Sequence, residues 1–313
     1  MRLRIINQNQ PSCRIVKRKS NFFIPSRQTI TMNGKNEIPE YATFPRTFEK
    51  YRWYKPLLVL AVGVIVYFIL IFVMVILFGA IYGTDATNAL MGGSYESLNS
   101  EAGAYMSFLS VAIILPSLYV ASRVVRDRPF SSYSSSRGGW DWKLYLKCQT
   151  IPLAIYVIYC VMYAMVHGKV SPTTFSLPYF LICLVIVPLQ CVGEEYLMRG
   201  FVMQTVGSWS KIPILALIIQ AVIFGVLHIY TILGVIGTVM CGLAYGFLAL
   251  KTKGLEASSS MHIANNLSMT IMIGLGFGAS TSTITMSNFI ETIALLAVNT
   301  LALYYIGTRK EWF

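Results

Sequence analysis

From Leu57 to Tyr82 the chain carries no charged residue, and this run exceeds the roughly 20 apolar residues that cross a hydrocarbon core as a helix. Further apolar runs follow at Ala104–Val120, Leu144–Val166, Leu177–Cys191 and beyond, Ile212–Leu227, Ile232–Leu250, Ser259–Phe277 and Phe289–Ile306. Lipid satisfies no backbone hydrogen bonds, so such runs must form helices, and the short alternating strands of a closed barrel are not seen. The pattern predicts an all-α, polytopic membrane protein of about eight transmembrane helices, the last of them forming a C-terminal bundle. It divides the chain into a basic tail over residues 1–56, three helices over 57–175 and a C-terminal core over 176–313. Within the sixth run, Gly242 and Gly246 stand as G-x-x-x-G, a spacing that permits close helix approach.

Composition agrees with that pattern: 55% of residues are hydrophobic and 12% charged, about half the charged share of a soluble domain. The net charge of +12 would suggest a nucleic-acid partner in a soluble protein, but its placement suggests a bilayer instead. Twelve of the 25 Lys and Arg precede the first run, and the connection after it has Asp85, Glu96 and Glu101 but no base. Arg123, Arg126, Arg128, Arg137, Lys143 and Lys147 crowd the next connection, and the one after that has only Lys169. Every second connection is basic, so the positive-inside rule predicts that both termini are cytoplasmic in a multi-pass cell membrane protein. The first 31 residues hold seven bases, no acid and no apolar h-region, so they do not form a secretory signal peptide. They read as a disordered tail, an over-long start before Met32, or a polybasic segment drawn to anionic lipid. Cys13, Cys148, Cys160, Cys183, Cys191 and Cys241 show neither C-x-x-C nor zinc-like spacing.

Ionisable side chains in membrane helices are costly and usually mark function, a partner or a helix end. They concentrate in the second half. Glu195 and Arg199 are four apart and can pair on one helix face, whereas Glu194 points about 100° away without a local partner. Phe224 lies one turn before His228, with Gly225 leaving room for another helix or a substrate. His262 and Asn266 place two hydrogen-bond donors on one face. Separately these groups could be an interfacial ion pair, a core histidine and polar glue between helices. Together they suit hydrolysis: a carboxylate and an imidazole can deprotonate water, and His and Asn can stabilise an oxyanion. A hairpin turning near Lys211 would bring Glu194 and His228 to one depth. His262 lies only nine residues after Lys253, so equal depth would require tilted helices or a partly submerged loop.

The ordered triplet Glu194-Glu195-x-x-x-Arg199, Phe224-x-x-x-His228 and His262-x-x-x-Asn266 resembles the CPBP family of intramembrane glutamic endopeptidases. That family includes CAAX prenyl proteases, lysostaphin-resistance type proteins and many bacteriocin-immunity proteins, and the resemblance covers roughly Ser176–Leu275. It implies that Glu194 and His228 activate water with Glu195 and Arg199 in support, that His262 and Asn266 stabilise the oxyanion, and that Phe224 lines the substrate pocket. The expected partners are a lipid bilayer and a membrane-associated or hydrophobic peptide cleaved near the cytoplasmic face, with no cofactor; a prenylated substrate is not implied. Two other readings use the same residues. One is a metallopeptidase with zinc at His228, His262 and Glu194; the other is a non-enzymatic bacteriocin-immunity or transport protein.

Overall fold

The computed structural model describes residues 38–83, 98–173, 175–228, 230–278 and 280–313. Each apolar run is a helix: α1 (Lys55–Tyr82), α2 (Glu101–Val125), α3 (Trp142–His167), α4 (Leu177–Ser210), α5 (Pro213–Val226), α6 (Ile232–Thr252), α7 (Glu256–Gly274) and α8 (Met286–Arg309). The first 31 residues lie outside the described residues. Among the described residues six of these eight helices are long and apolar enough to cross a membrane by length and composition. The exceptions are α5, with 14 residues, and α7, whose Ser and Asn content lowers its hydropathy. This is a multi-pass, all-helical membrane protein.

Helix starts carry local signals. Ser100 accepts from Gly103 N, Asp141 from Lys143 N and Leu144 N, and Ser176 from Tyr179 N, satisfying amides with no partner in the first turn. Helix α2 breaks at Ile113, because Pro116 has no N–H to give the Ala112 carbonyl. Gly193 of α4 packs at that break, where an added Cβ would stand 3.2 Å from Val111 O. Helix α4 continues from its α-helical part (Leu177–Glu195) through a π-helical stretch (Tyr196–Met203) to a last α-helical segment of about two turns (Gln204–Ser210).

Successive helices alternate in direction, and hydrogen bonds join the connections at each end. At one end Asn99 pairs with the Ser280 backbone through Nδ2 (3.0 Å) and Oδ1 (2.8 Å), Thr231 N donates to Ser282 O, and Val170 N donates to Gly276 O. At the other, Ser136 N donates to Lys253 O and Leu255 N to Ser134 O. Residues 38–54 pack into this second end: Tyr41 is buried and donates to Tyr133 O (2.6 Å), Arg46 donates to Ser208 O, and Glu40 pairs with Lys253 at 2.9 Å. Burial pushes the Tyr41 hydroxyl well above the usual tyrosine range.

The G-x-x-x-G spacing acts where expected. A Cβ at Gly242 would stand 2.8 Å from Ala221 Cα, and one at Gly246 would collide with Leu217 and Gln220; α6 thus lies against α5 at backbone distance. Gly225 makes the reciprocal approach, with Val235 O 3.0 Å from its virtual Cβ and Val239 closer still, so the space it leaves is filled by a helix.

Candidate functional site

Helix α7 decides whether the polar residues can meet. Every residue from Glu256 to Ala264 is buried, so α7 begins inside the protein, beneath the α2–α3 connection, instead of at the membrane surface. A carboxylate there would be prohibitive without partners. Glu256 has them: Arg137 Nη2 at 2.6 Å and the Asp141 amide at 2.8 Å. The submerged start carries His262 down to the level of Glu194, which resolves the depth difference posed by its short distance from Lys253.

His262 lies between the two glutamates. Its Nδ1 is 3.0 Å from Glu195 Oε1, and its Nε2 is 3.3 Å from Glu194 Oε2. Glu195 Oε1 also accepts from Arg199 Nη1 at 3.0 Å, with both side chains fully buried. The guanidinium reaches Gly242 O at 3.4 Å and lies over the rings of Phe224 (4.5 Å) and Tyr245 (5.2 Å). The i, i+4 pair forms as its spacing predicts, while Glu194 Oε2, without a hydrogen bond among the described residues, lies within ion-pair distance of His262 on α7. Tyr245 stacks on His262 with centroids 5.0 Å apart and planes 25° apart, fixing the ring plane.

The other histidine is held differently. His228 follows α5, and its Nδ1 is 2.7 Å from Phe224 O. A carbonyl can only accept, so Nδ1 carries the proton and Nε2 keeps its lone pair. Its ring meets Phe224 edge-on, centroids 4.8 Å apart. Asn266 Nδ2 lies 3.2 Å from Gln190 Oε1 and 3.4 Å from His262 Nε2, and its Oδ1 accepts from Asn265 Nδ2 at 2.9 Å. Tyr156 of α3 completes the chain, donating to Asn265 Oδ1 at 2.7 Å.

Glu194, Phe224, His228, His262 and Asn266 line one cavity of about 260 Å³. Glu195 and Arg199 are buried beside it and do not line it; Glu195 reaches the cavity through His262, and Arg199 through Phe224 and Tyr245. No hydrogen bond joins Glu194 directly to His228 in this arrangement. Among the described residues no group of three His, Cys, Asp or Glu side chains converges as metal ligands.

Residues 173–268 match the family model described as type II CAAX prenyl endopeptidase Rce1-like. Over this segment the chain is similar to the Rce1-like family. All seven candidate residues fall inside it. The uncharacterized protein YyaK of Bacillus subtilis (strain 168) is 28% identical over 184 residues, covering 54% of this chain and 60% of its own length. The chain thus spans less than two thirds of that relative. No solved structure matches.

The Rce1-like segment also contains site residues that sequence reasoning passed over. Gln190 stands one turn before Glu194, and that polar residue at helical spacing in an apolar run was a usable signal. Asn265 was visible only as a neighbour of Asn266. Tyr245 had no such signal, because an aromatic in a membrane helix is ordinary until a tertiary contact places it on an imidazole.

Proposed function

We propose that the protein is an intramembrane endopeptidase of glutamic type that hydrolyses a peptide bond in a membrane-associated or hydrophobic peptide, without a metal. The observation that carries this reading is the convergence of Glu194, His228, His262 and Asn266 on one cavity inside a segment of an endopeptidase family. Glu194 and His228 hold and deprotonate the attacking water; His228 Nε2 is the nitrogen left free to accept, because Nδ1 is committed to Phe224 O. As the carbonyl oxygen becomes an oxyanion, Asn266 Nδ2 donates to it, and His262 donates through Nε2 as an imidazolium, the form that carries a proton on each nitrogen and that Glu195 stabilises through Nδ1. Glu195, itself neutralised by Arg199, holds His262 through Nδ1, the arrangement that orients a catalytic imidazole in other hydrolases. Phe224 walls the cavity between Arg199 and His228.

Removing the water-activating groups tests this reading. Glu194→Ala and His228→Ala should each abolish cleavage of a membrane-anchored reporter peptide, with insertion and detergent melting behaviour unchanged. Full turnover in either variant would remove that residue from its role. Cleavage that stops on chelation, with stoichiometric zinc in the purified protein, would instead establish the metallopeptidase; no cleavage, combined with bacteriocin protection that survives Glu194→Ala, would establish a non-enzymatic protein.

A further inference from the structure

Three helices that finish at the end where residues 38–54 pack, α2, α4 and α6, each stop on a cation with a left-handed backbone: Arg126 (φ 53°), Lys211 (φ 63°) and Lys253 (φ 59°). Glycine takes this position without strain, so a basic side chain is kept at each against the preference of the backbone. A cation suits the negative end of any helix dipole, but the three charges are used differently. Lys253 pairs with Glu40 at 2.9 Å. Arg126 and Lys211 are exposed and have no carboxylate partner among the described residues.

Arg126 has further cations beside it. Helix α1 starts against the end of α2, where Val59, Leu118 and Ala121 share one apolar cluster. Lys55 Nζ donates to Arg126 O at 3.4 Å, and Arg126 Nε donates to Arg123 O at 3.2 Å. Three cations from two helix ends thus meet at one junction, and none has an ion pair among the described residues. Like charges repel unless an anion lies between them. Aromatic rings set the level of the junction: Trp53 precedes α1, Trp209 stands near the end of α4, both are exposed, and Trp209 Nε1 donates to Trp53 O at 2.8 Å. Such rings gather where headgroups meet hydrocarbon. Further along the same helices the exposed side chains turn aliphatic, with Leu57 and Leu58 on α1 and Val120 and Val124 on α2. A ligand here meets cations at headgroup level and aliphatic surface beside them, which fits an amphiphile with an anionic head. We infer that the junction of α1 and α2 binds an anionic phospholipid, its phosphate held by Lys55, Arg123 and Arg126 and its acyl chains running along the exposed aliphatic side chains of the two helices. The two guanidinium groups offer N–H forks that match phosphate oxygens, and Lys55 adds a point charge. None of these residues lines the cavity, so occupancy of the junction is measured without any assay of turnover.

Native mass spectrometry of the purified full chain, titrated in detergent with phosphatidylglycerol and separately with phosphatidylcholine, tests the site. The parent should retain the anionic lipid in preference to the neutral one. Arg123→Gln/Arg126→Gln should weaken retention of phosphatidylglycerol about fivefold for each charge removed. Arg126→Gly separates binding from folding, because it relieves the left-handed backbone: it should melt no lower than the parent and still lose the lipid. Lys310→Gln, which removes a cation just beyond α8 at the same end of the bundle, should retain the lipid as the parent does. Equal retention of both lipids by the parent, parent-like retention in the arginine variants, or an equal loss in Lys310→Gln would each overturn the inference. Displacement of the lipid by inorganic phosphate would overturn it too, since the junction would then be a site for a free anion.

Discussion

At the scale of single residues, the site consists of a few charges whose cost is offset by specific partners. Glu195 and Arg199 are both fully buried at 3.0 Å, so Arg199→Met alone strands a carboxylate and should cost about 3–5 kcal/mol. The expected result is a lowered melting temperature in detergent, with much of the loss recovered in Glu195→Gln/Arg199→Met because no unpaired charge remains. Turnover should stay low in the double variant even as stability recovers, since His262 then loses the charged acceptor on Nδ1. Gln190 acts one step further out. Through Oε1 it accepts from Asn266 Nδ2, and Gln190→Leu, which removes that acceptor, should lower kcat by about tenfold with little change in KM, an effect of about 1.4 kcal/mol within the range of one hydrogen bond to a buried group. A change confined to KM would show that Gln190 contacts substrate. The charged residues of this network could be read from the chain as anomalies in apolar runs. Tyr245 could not, because its role lies in a stacking contact with a residue on another helix.

At the scale of elements, the decisive features are close helix approach and the submerged start of α7. The Gly242 and Gly225 contacts leave no space for side chains between α5 and α6. Gly242→Ala should therefore force the backbones apart and cost about 1–3 kcal/mol as overpacking, visible in thermal melts, and because Arg199 Nη2 and Gln220 Nε2 both donate to Gly242 O, turnover should fall with it. A variant that melts and turns over like the parent would show that the interface has slack. Glu256 anchors the start of α7 through Arg137 and the Asp141 amide. Glu256→Ala should loosen this helix, and hydrogen exchange should report faster opening from Glu256 to His262 before α1 or α8 is affected. Helix existence was legible from apolar periodicity. The depth of α7 was not, because burial of Glu256 depends on Arg137, more than a hundred positions away in the chain.

At the scale of the whole molecule, residues 38–54 tie together connections from distant parts of the chain. Tyr41 donates to Tyr133 O, and an added Cβ at Gly207 would collide with the backbone of Ala42. Burial raises the Tyr41 hydroxyl well above its ordinary value near 10. Its contribution to stability is therefore complete below about pH 10 and is lost as pH rises through that value, because the unfolded state ionises first. Tyr41→Phe should be less stable than the parent near neutral pH, for want of the hydrogen bond, and should lose less stability between pH 9.5 and 11. Parallel stability curves over that interval would assign the alkaline sensitivity to other groups.

The sequence alone determined that the chain is helical and embedded in lipid, which end of each helix carries positive charge, and which carboxylates and imidazoles are out of place. These are properties of composition and local period, set by the cost of exposing polar groups to hydrocarbon. Tertiary structure decided the rest: that His262 and not a neighbour in sequence lies against Glu194, that His228 is held by a carbonyl of its own helix end, and that these residues line one cavity with Asn266. Each depends on which helix lies beside which, and that follows from packing between segments far apart in the chain, such as Glu256 with Arg137 and Gly242 with Ala221.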